Sequence, residues 1–254
     1  MNSSPPINST PRRDSSYISA FRAAGLGLTL IAFLAPAQAA STTKIAWLWD
    51  GASAPAQADV QAAVVMQHLL LNGPDILVRP RPRAPALMPG SPVTPVVHVE
   101  IGALRSPVDA ERQRRAIVQA VLQVAPLSTS GWVQLDMETR ASQRDFYQTA
   151  VRDLRRALPP QIKLSVTALA WWCRDPTWLD GLPADEIVPM FFRMGRDTAA
   201  LRRVFSFEPQ RLDPRCRSDV AGFSIQEPFD HETTARYRKT YWFDDHRWRQ
   251  SRVP

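Results

Sequence analysis

Residues 131–140 read GWVQLDMETR, and alternation along a strand puts Asp136 and Glu138 on one face, with Val133, Leu135 and Met137 on the other. The two acids are then about 6.5–7 Å apart at Cα. Neighbouring carboxylates raise one another's pKa, so that one holds a proton near neutral pH. Glycoside hydrolysis uses such a pair, set about 5–5.5 Å apart for retention and wider for inversion. An Asp136 that merely bonds neighbouring strands or Arg140 would look the same in sequence, so further acids matter. Glu100 ends the segment PVVHVEI, and Glu227 stands in IQEP, held extended by Pro228. Glu227 is opposite in parity to Ser224 and Gln226, and faces inward only if its strand ends or bulges there. The candidate catalytic set is therefore Asp136, Glu138 and Glu227.

Beside Glu100, His98 is a candidate base or sugar-hydroxyl partner, and equally a buried, hydrogen-bonded histidine. The remaining histidines, His68, His231 and His246, fall on an expected helix and in the tail. Trp171 and Trp172, with Trp178 close behind, follow a strand at the place where indoles would stack on a sugar ring. Most tryptophans are core, but one of the adjacent pair must face inward. His98, Glu100, Trp171 and Trp172 form the candidate substrate-binding set. No histidines or cysteines stand at metal-ligand spacing. Nor does the chain contain G-x-G-x-x-G, a Walker loop, G-x-S-x-G or H-E-x-x-H. Neither a metal nor a cofactor is expected, and the common nucleotide, esterase and zinc-protease readings fall away.

Positioning these groups falls to alternating strands and helices. Strands are expected at 44–50, 75–79, 95–101, 131–137, 163–172, 186–194, 219–227 and 240–244, and helices at 59–73, 106–125, 142–158 and 197–205. Between 80 and 95 prolines exclude a helix. Alternating elements call for parallel strands joined by right-handed crossovers. An open doubly wound sheet would need central strands apolar on both faces. Here His98 and Glu100, Ser165 and Thr167, and Ser224 and Gln226 alternate with apolar residues. The polar side grows toward the strand C-termini, where β/α barrels keep their chemistry. The expected fold is α/β, a small or incomplete TIM-type barrel.

The chain has 254 residues, 44% hydrophobic and 22% charged, which suits one domain with an ordinary core. Arg12, Arg13 and Arg22 precede the apolar run AAGLGLTLIAFLA and the small residues APAQAA. That is the order of a secretory signal, cleaved after Ala37-Gln38-Ala39. Residues 1–39 are expected to be signal and 40–254 a single barrel domain, periplasmic or secreted. The alternative is an inner-membrane anchor through the uncleaved segment, which is shorter than the ~20 residues a span needs. No later stretch reads as a span. Of the formal charge of +7, +2 lies in the signal, and the rest is spread along helical stretches such as ERQRR and RDLRR. Solvated helix faces explain that pattern better than nucleic-acid binding. Cys173 and Cys216 either remain free or form one disulfide in an oxidising compartment.

The run VQLDMETRASQRDFYQTAVRDLRRALPP, with LSVTALAWWC, WLDGLPADEIVPMFFRMG and GFSIQEP, resembles an uncharacterised bacterial envelope family catalogued as domain of unknown function 3142. The likeness runs from the first strand to about residue 228 and is most specific over 131–195. It implies a barrel shaped like those of glycoside hydrolases, and brings no established reaction, substrate or catalytic set. Taken together, these features predict an exported barrel acting on an envelope or extracellular glycan. The alternatives are a non-catalytic glycan- or partner-binding protein, or a structural one.

Overall fold

A computed structural model describes residues 42–102, 108, 110–246, 248 and 252–254. The expected signal segment lies outside the described residues. Eight parallel strands close on themselves. They are β1 (Thr43–Leu48), β2 (Val60–Asn72), β4 (Val93–Ile101), β5 (Trp132–Met137), β6 (Lys163–Leu169), β7 (Glu186–Met190), β8 (Val220–Ser224) and β9 (Lys239–Phe243). β1 pairs in parallel with both β2 and β9, so the sheet is a TIM-type barrel rather than an open doubly wound sheet. β3 (Asp75–Pro80) lies outside the closure and pairs antiparallel with the far end of β2.

The expected helix at 59–73 is instead β2, a strand of 13 residues. A continuous apolar run does not distinguish a buried helix from a buried strand. Gln61, His68 and Asn72 would share one face of a helix, so the spacing of VQAAVVMQHLLLN fits a helix too, but Val60, Val64 and Val65 favour a strand. Both edges of β2 are taken, by β1 and β4, and Ala62, Ala63, Val64 and Val65 are all buried. Gly73 therefore stops no helix. It takes φ 60° in the two-residue loop to β3, the glycine-first arrangement of tight hairpins. The expected strand at 75–79 exists, but as this hairpin arm rather than as a barrel stave.

Helices are sparse. α1 (Ala110–Val124) and α2 (Arg144–Ala157) cover β4, β5 and β6, burying Ile117, Val121 and Val124 on one and Tyr147, Ala150, Val151 and Leu154 on the other. These positions recur at three- and four-residue intervals, the stripe that faces a sheet. α3 (Thr198–Phe207) and the single turn α4 (His231–Thr234) follow β7 and β8. Short 3₁₀ turns at Ala170–Arg174 and Pro176–Trp178 replace a helix after β6. Cys173 and Cys216 form a disulfide, which ties the turn after β6 to the segment before β8. Among the described residues no helix is long and apolar enough to cross a membrane.

The lumen is filled in layers and makes no channel. At the N-terminal end Glu186 accepts hydrogen bonds from Ser165 (2.7 Å), Tyr241 (2.8 Å) and Lys239 (2.6 Å), and Gln134 donates to Ser165 (2.8 Å). Above lies an apolar plug that includes Ile45, Trp47, Val65, Val96, Val188 and Phe243. Among the described residues a large cavity lies above this plug at the C-terminal mouth, and a smaller one of about 350 Å³ lies at the N-terminal end beside Thr43, Thr94, Trp132 and Lys239.

Candidate functional site

At the mouth the inward residues become polar in register. His98 of β4 stands level with Asp136 of β5, and its Nδ1 lies 2.7 Å from Asp136 Oδ2. Thr167 on β6 donates to the other oxygen, Oδ1, also at 2.7 Å. Asp136 is 2% exposed, so its carboxylate is spent on its neighbours beneath the floor of the mouth. It is thus not half of a solvent-facing acid pair with Glu138, as the sequence alternation had suggested. The parity was right, but one strand residue of depth separates a buried group from an open one. Burial disfavours a charged His98, yet the charge and hydrogen bond of Asp136 outweigh it, and the His98 pKa is raised. With Nδ1 held by Asp136, Nε2 is left for the cleft that His98 lines.

His68 joins this cluster because β2 bulges. Val65 pairs with Val96 and Gln67 with Val97, leaving Met66 as the extra residue. The insertion reverses parity, so that His68 stands level with His98 and faces inward. Arg81 serves the bulge: its backbone N–H donates to Met66 O (2.7 Å), and its guanidinium donates to Val65 O (3.3 Å), Leu48 O (3.1 Å) and Ala52 O (3.0 Å). The two imidazoles are 5.6 Å apart, and Trp49 packs on both. His68 Nε2 lies 3.3 Å from Asp50. Burial lowers the His68 pKa, and Asp50 offsets this only in part. The histidines are therefore shifted in opposite directions.

Above them is a cleft of about 690 Å³, lined by Trp49, His98, Glu100, Glu138, Arg140, Trp171 and Arg193 among others. Glu138 reaches solvent there and pairs with no cation among the described residues. Enclosure by the cleft and the charge of Asp136 raise its pKa, against the pull of His98 and Arg193. Val99 pairs with Met137, so Glu100 and Glu138 follow side by side on strands about 4.8 Å apart. Trp171 is half-buried on the cleft wall. Trp172 is fully buried, stacked on Trp178 with centroids 4.3 Å apart and packed on Tyr147. Of the adjacent pair, Trp171 alone can meet a ligand, and Trp172 belongs to the core.

Glu227 does not line the cleft. β8 ends at Ser224 and the chain turns, bringing the Glu227 carboxylate to the backbone N–H of Arg193 at 3.0 and 3.1 Å. There it accepts the Arg193 N–H with both oxygens, away from the cleft where a catalytic acid was expected. Trp49, Asp50, His68 and Arg193 were not singled out in the sequence. Trp49 had a usable signal, as the last inward residue of the first strand. His68 had none, since a bulge leaves no mark in an apolar run.

No family model matches the chain, and no curated protein matches its sequence.

Proposed function

We propose that the protein is an exported barrel enzyme that cleaves or transfers a glycan at its C-terminal mouth, with Glu138 as proton donor. The observation that carries this is Glu138 itself. It is an unpaired carboxylate with a raised pKa, in an open cleft walled by Trp49 and Trp171, at the end of the barrel where such folds keep their chemistry. Glu100, level with it on the neighbouring strand and lining the same cleft, is the second carboxylate. His98, oriented by Asp136, presents Nε2 as a hydrogen-bond partner for a sugar hydroxyl. The disulfide and the signal-like N-terminus support export.

A second reading is a barrel that binds a glycan without cleaving it. One observation favours it: both oxygens of Asp136 are engaged in hydrogen bonds, so only Glu100 remains to partner Glu138. Incubating the protein with envelope and extracellular polysaccharides and measuring released reducing ends separates the two. The enzyme reading expects release by the wild type and loss of at least a hundredfold in Glu138→Gln, with binding retained. Binding without release by the wild type supports the second reading, and neither binding nor release refutes both.

A further inference from the structure

The face that carries His68 and His98 continues past the barrel onto the β2–β3 hairpin. Arg79 of β3 pairs with His68 of β2, and His68 with His98 of β4, so the three make one level row. Two residues further from the floor, Leu77, Leu70 and Glu100 of the same strands make a second row. Paired residues share a face, and so do residues two apart along a strand. The six side chains therefore form a grid, with rows roughly 6.5–7 Å apart on strands roughly 4.8 Å apart.

This grid lines a side cavity of about 120 Å³. With about 30 Å³ for each water-sized group, that is room for about four heavy atoms, a substituent rather than a sugar ring. The β4 column is its border with the 690 Å³ cleft, because His98 and Glu100 line both. A sugar in the cleft thus faces the cavity across those two side chains, with Leu70 and Leu77 beyond them. Leu77 is 61% exposed, so its apolar surface is free to be covered.

The chemistry changes in one direction across the grid. At the border Glu100 offers a carboxylate that makes no hydrogen bond or ion pair among the described residues, and His98 offers Nε2, since Asp136 holds Nδ1. Beyond the border the two leucines offer apolar surface alone. The positive charges of the grid are already met, His98 by Asp136 at 2.7 Å and Arg79 by Asp50 at 3.8 Å. The cavity therefore calls for no anion, and Glu100 repels one. A free ammonium reaches Glu100 only by giving up water against Leu70 and Leu77. A hydroxyl stops at the border and leaves the leucines bare. One small neutral group uses every feature: an acetamido group donates its N–H to Glu100, accepts at its carbonyl from a charged His98, and lays its methyl on Leu70 and Leu77.

We infer that this side cavity receives the N-acetyl group of an amino sugar, so that the mouth selects glycans built from N-acetylated hexosamine. This inference rests on the glycan reading above and adds the substrate class. The partner of His98 is then the acetamido carbonyl rather than a hydroxyl.

Calorimetric titration of the purified protein with chitotetraose, its de-N-acetylated form and cellotetraose tests it, because the three share a backbone and linkage and differ in the substituent at C2. Any acetamido-bearing glycan bound in the wider polysaccharide panel is titrated beside its own de-N-acetylated form. The acetylated member of at least one such set is expected to bind tighter than its counterparts by on the order of tenfold or more. Leu77→Ser, at an exposed position, should fold, as a thermal melt checks, and lower that preference severalfold. Leu77→Met keeps an apolar surface there and should retain most of it. Equal or weaker binding of the acetylated member in every set, binding confined to glycans without acetamido groups, or a preference unchanged in Leu77→Ser overturns the inference and leaves the glycan reading standing. Binding of none of these glycans overturns both.

Discussion

Replacing Asp136 by Asn removes one charge from the floor of the mouth and almost no volume. In the wild type the carboxylate accepts from His98 and Thr167, each at 2.7 Å, and is 2% exposed. Asparagine offers one oxygen where there were two, so one charge-assisted hydrogen bond is lost and the other becomes neutral. A hydrogen bond to a charged group contributes about 1.5–3 kcal/mol. For a domain of this size each kcal/mol moves Tm by roughly 2–4 °C, so the expected fall is about 3–12 °C. The loss should also depend on pH. The folded pKa of His98 is raised above its ordinary value of 6.5 because Asp136 outweighs burial, so its pairing stabilises fully below that value. The contribution fades as pH rises through the folded pKa. In Asp136→Asn burial, the largest cause, is opposed only by the smaller pulls of Glu138 and Glu100, and the His98 pKa should fall from its raised wild-type position. Denaturation at several pH values and NMR titration of the His98 ring provide the assay. The stability gap between wild type and variant should be widest under mildly acid conditions and narrow above neutrality. A gap that is flat with pH, or a His98 pKa that stays raised in the variant, would show that Asp136 does not set the charge at the mouth.

Trp172→Ala opens a cavity beneath Tyr147 and Trp178 and should cost about 3–5 kcal/mol in chemical denaturation. Trp171→Ala, from a half-buried wall position, should cost clearly less and instead reduce glycan affinity; equal destabilisation by both would refute the division between wall and core. Removing the disulfide with Cys173→Ser and Cys216→Ser frees a loop with a sequence separation of 43 residues. Chain entropy sets the loss at about 4 kcal/mol, readable as a Tm difference that reductant reproduces in the wild type and not in the variant.

Much of the barrel was legible because its signals are local. The periodic faces of α1 and α2, the alternation in β4, β5 and β6, and the polar gain toward the strand ends each follow from one segment's own sequence. β2 was not legible. VQAAVVMQHLLLN carries Gln61, His68 and Asn72 at helical spacing, and what makes it a strand is the two neighbours that satisfy both its edges, β1 and β4. The site divides in the same way. Asp136, Glu138, His98 and Glu100 share a face by parity alone, and the structure brings all four to one end of the barrel. His68 arrives through a bulge that only the register with β4 reveals.

By itself, then, the sequence determined which side chains face inward and at which end polarity gathers, since a strand's period of two needs nothing beyond the strand. Depth and partnership were decided by the tertiary structure. The pairing of β5 with β4 and β6 put Asp136 under its neighbours and left Glu138 open, though only Met137 separates them. The fold likewise chose Trp171 for the wall and Trp172 for the core. It also took Glu227 out of the cleft and onto the Arg193 N–H, because the parallel pairing of β7 with β8 brings the turns after both strands together.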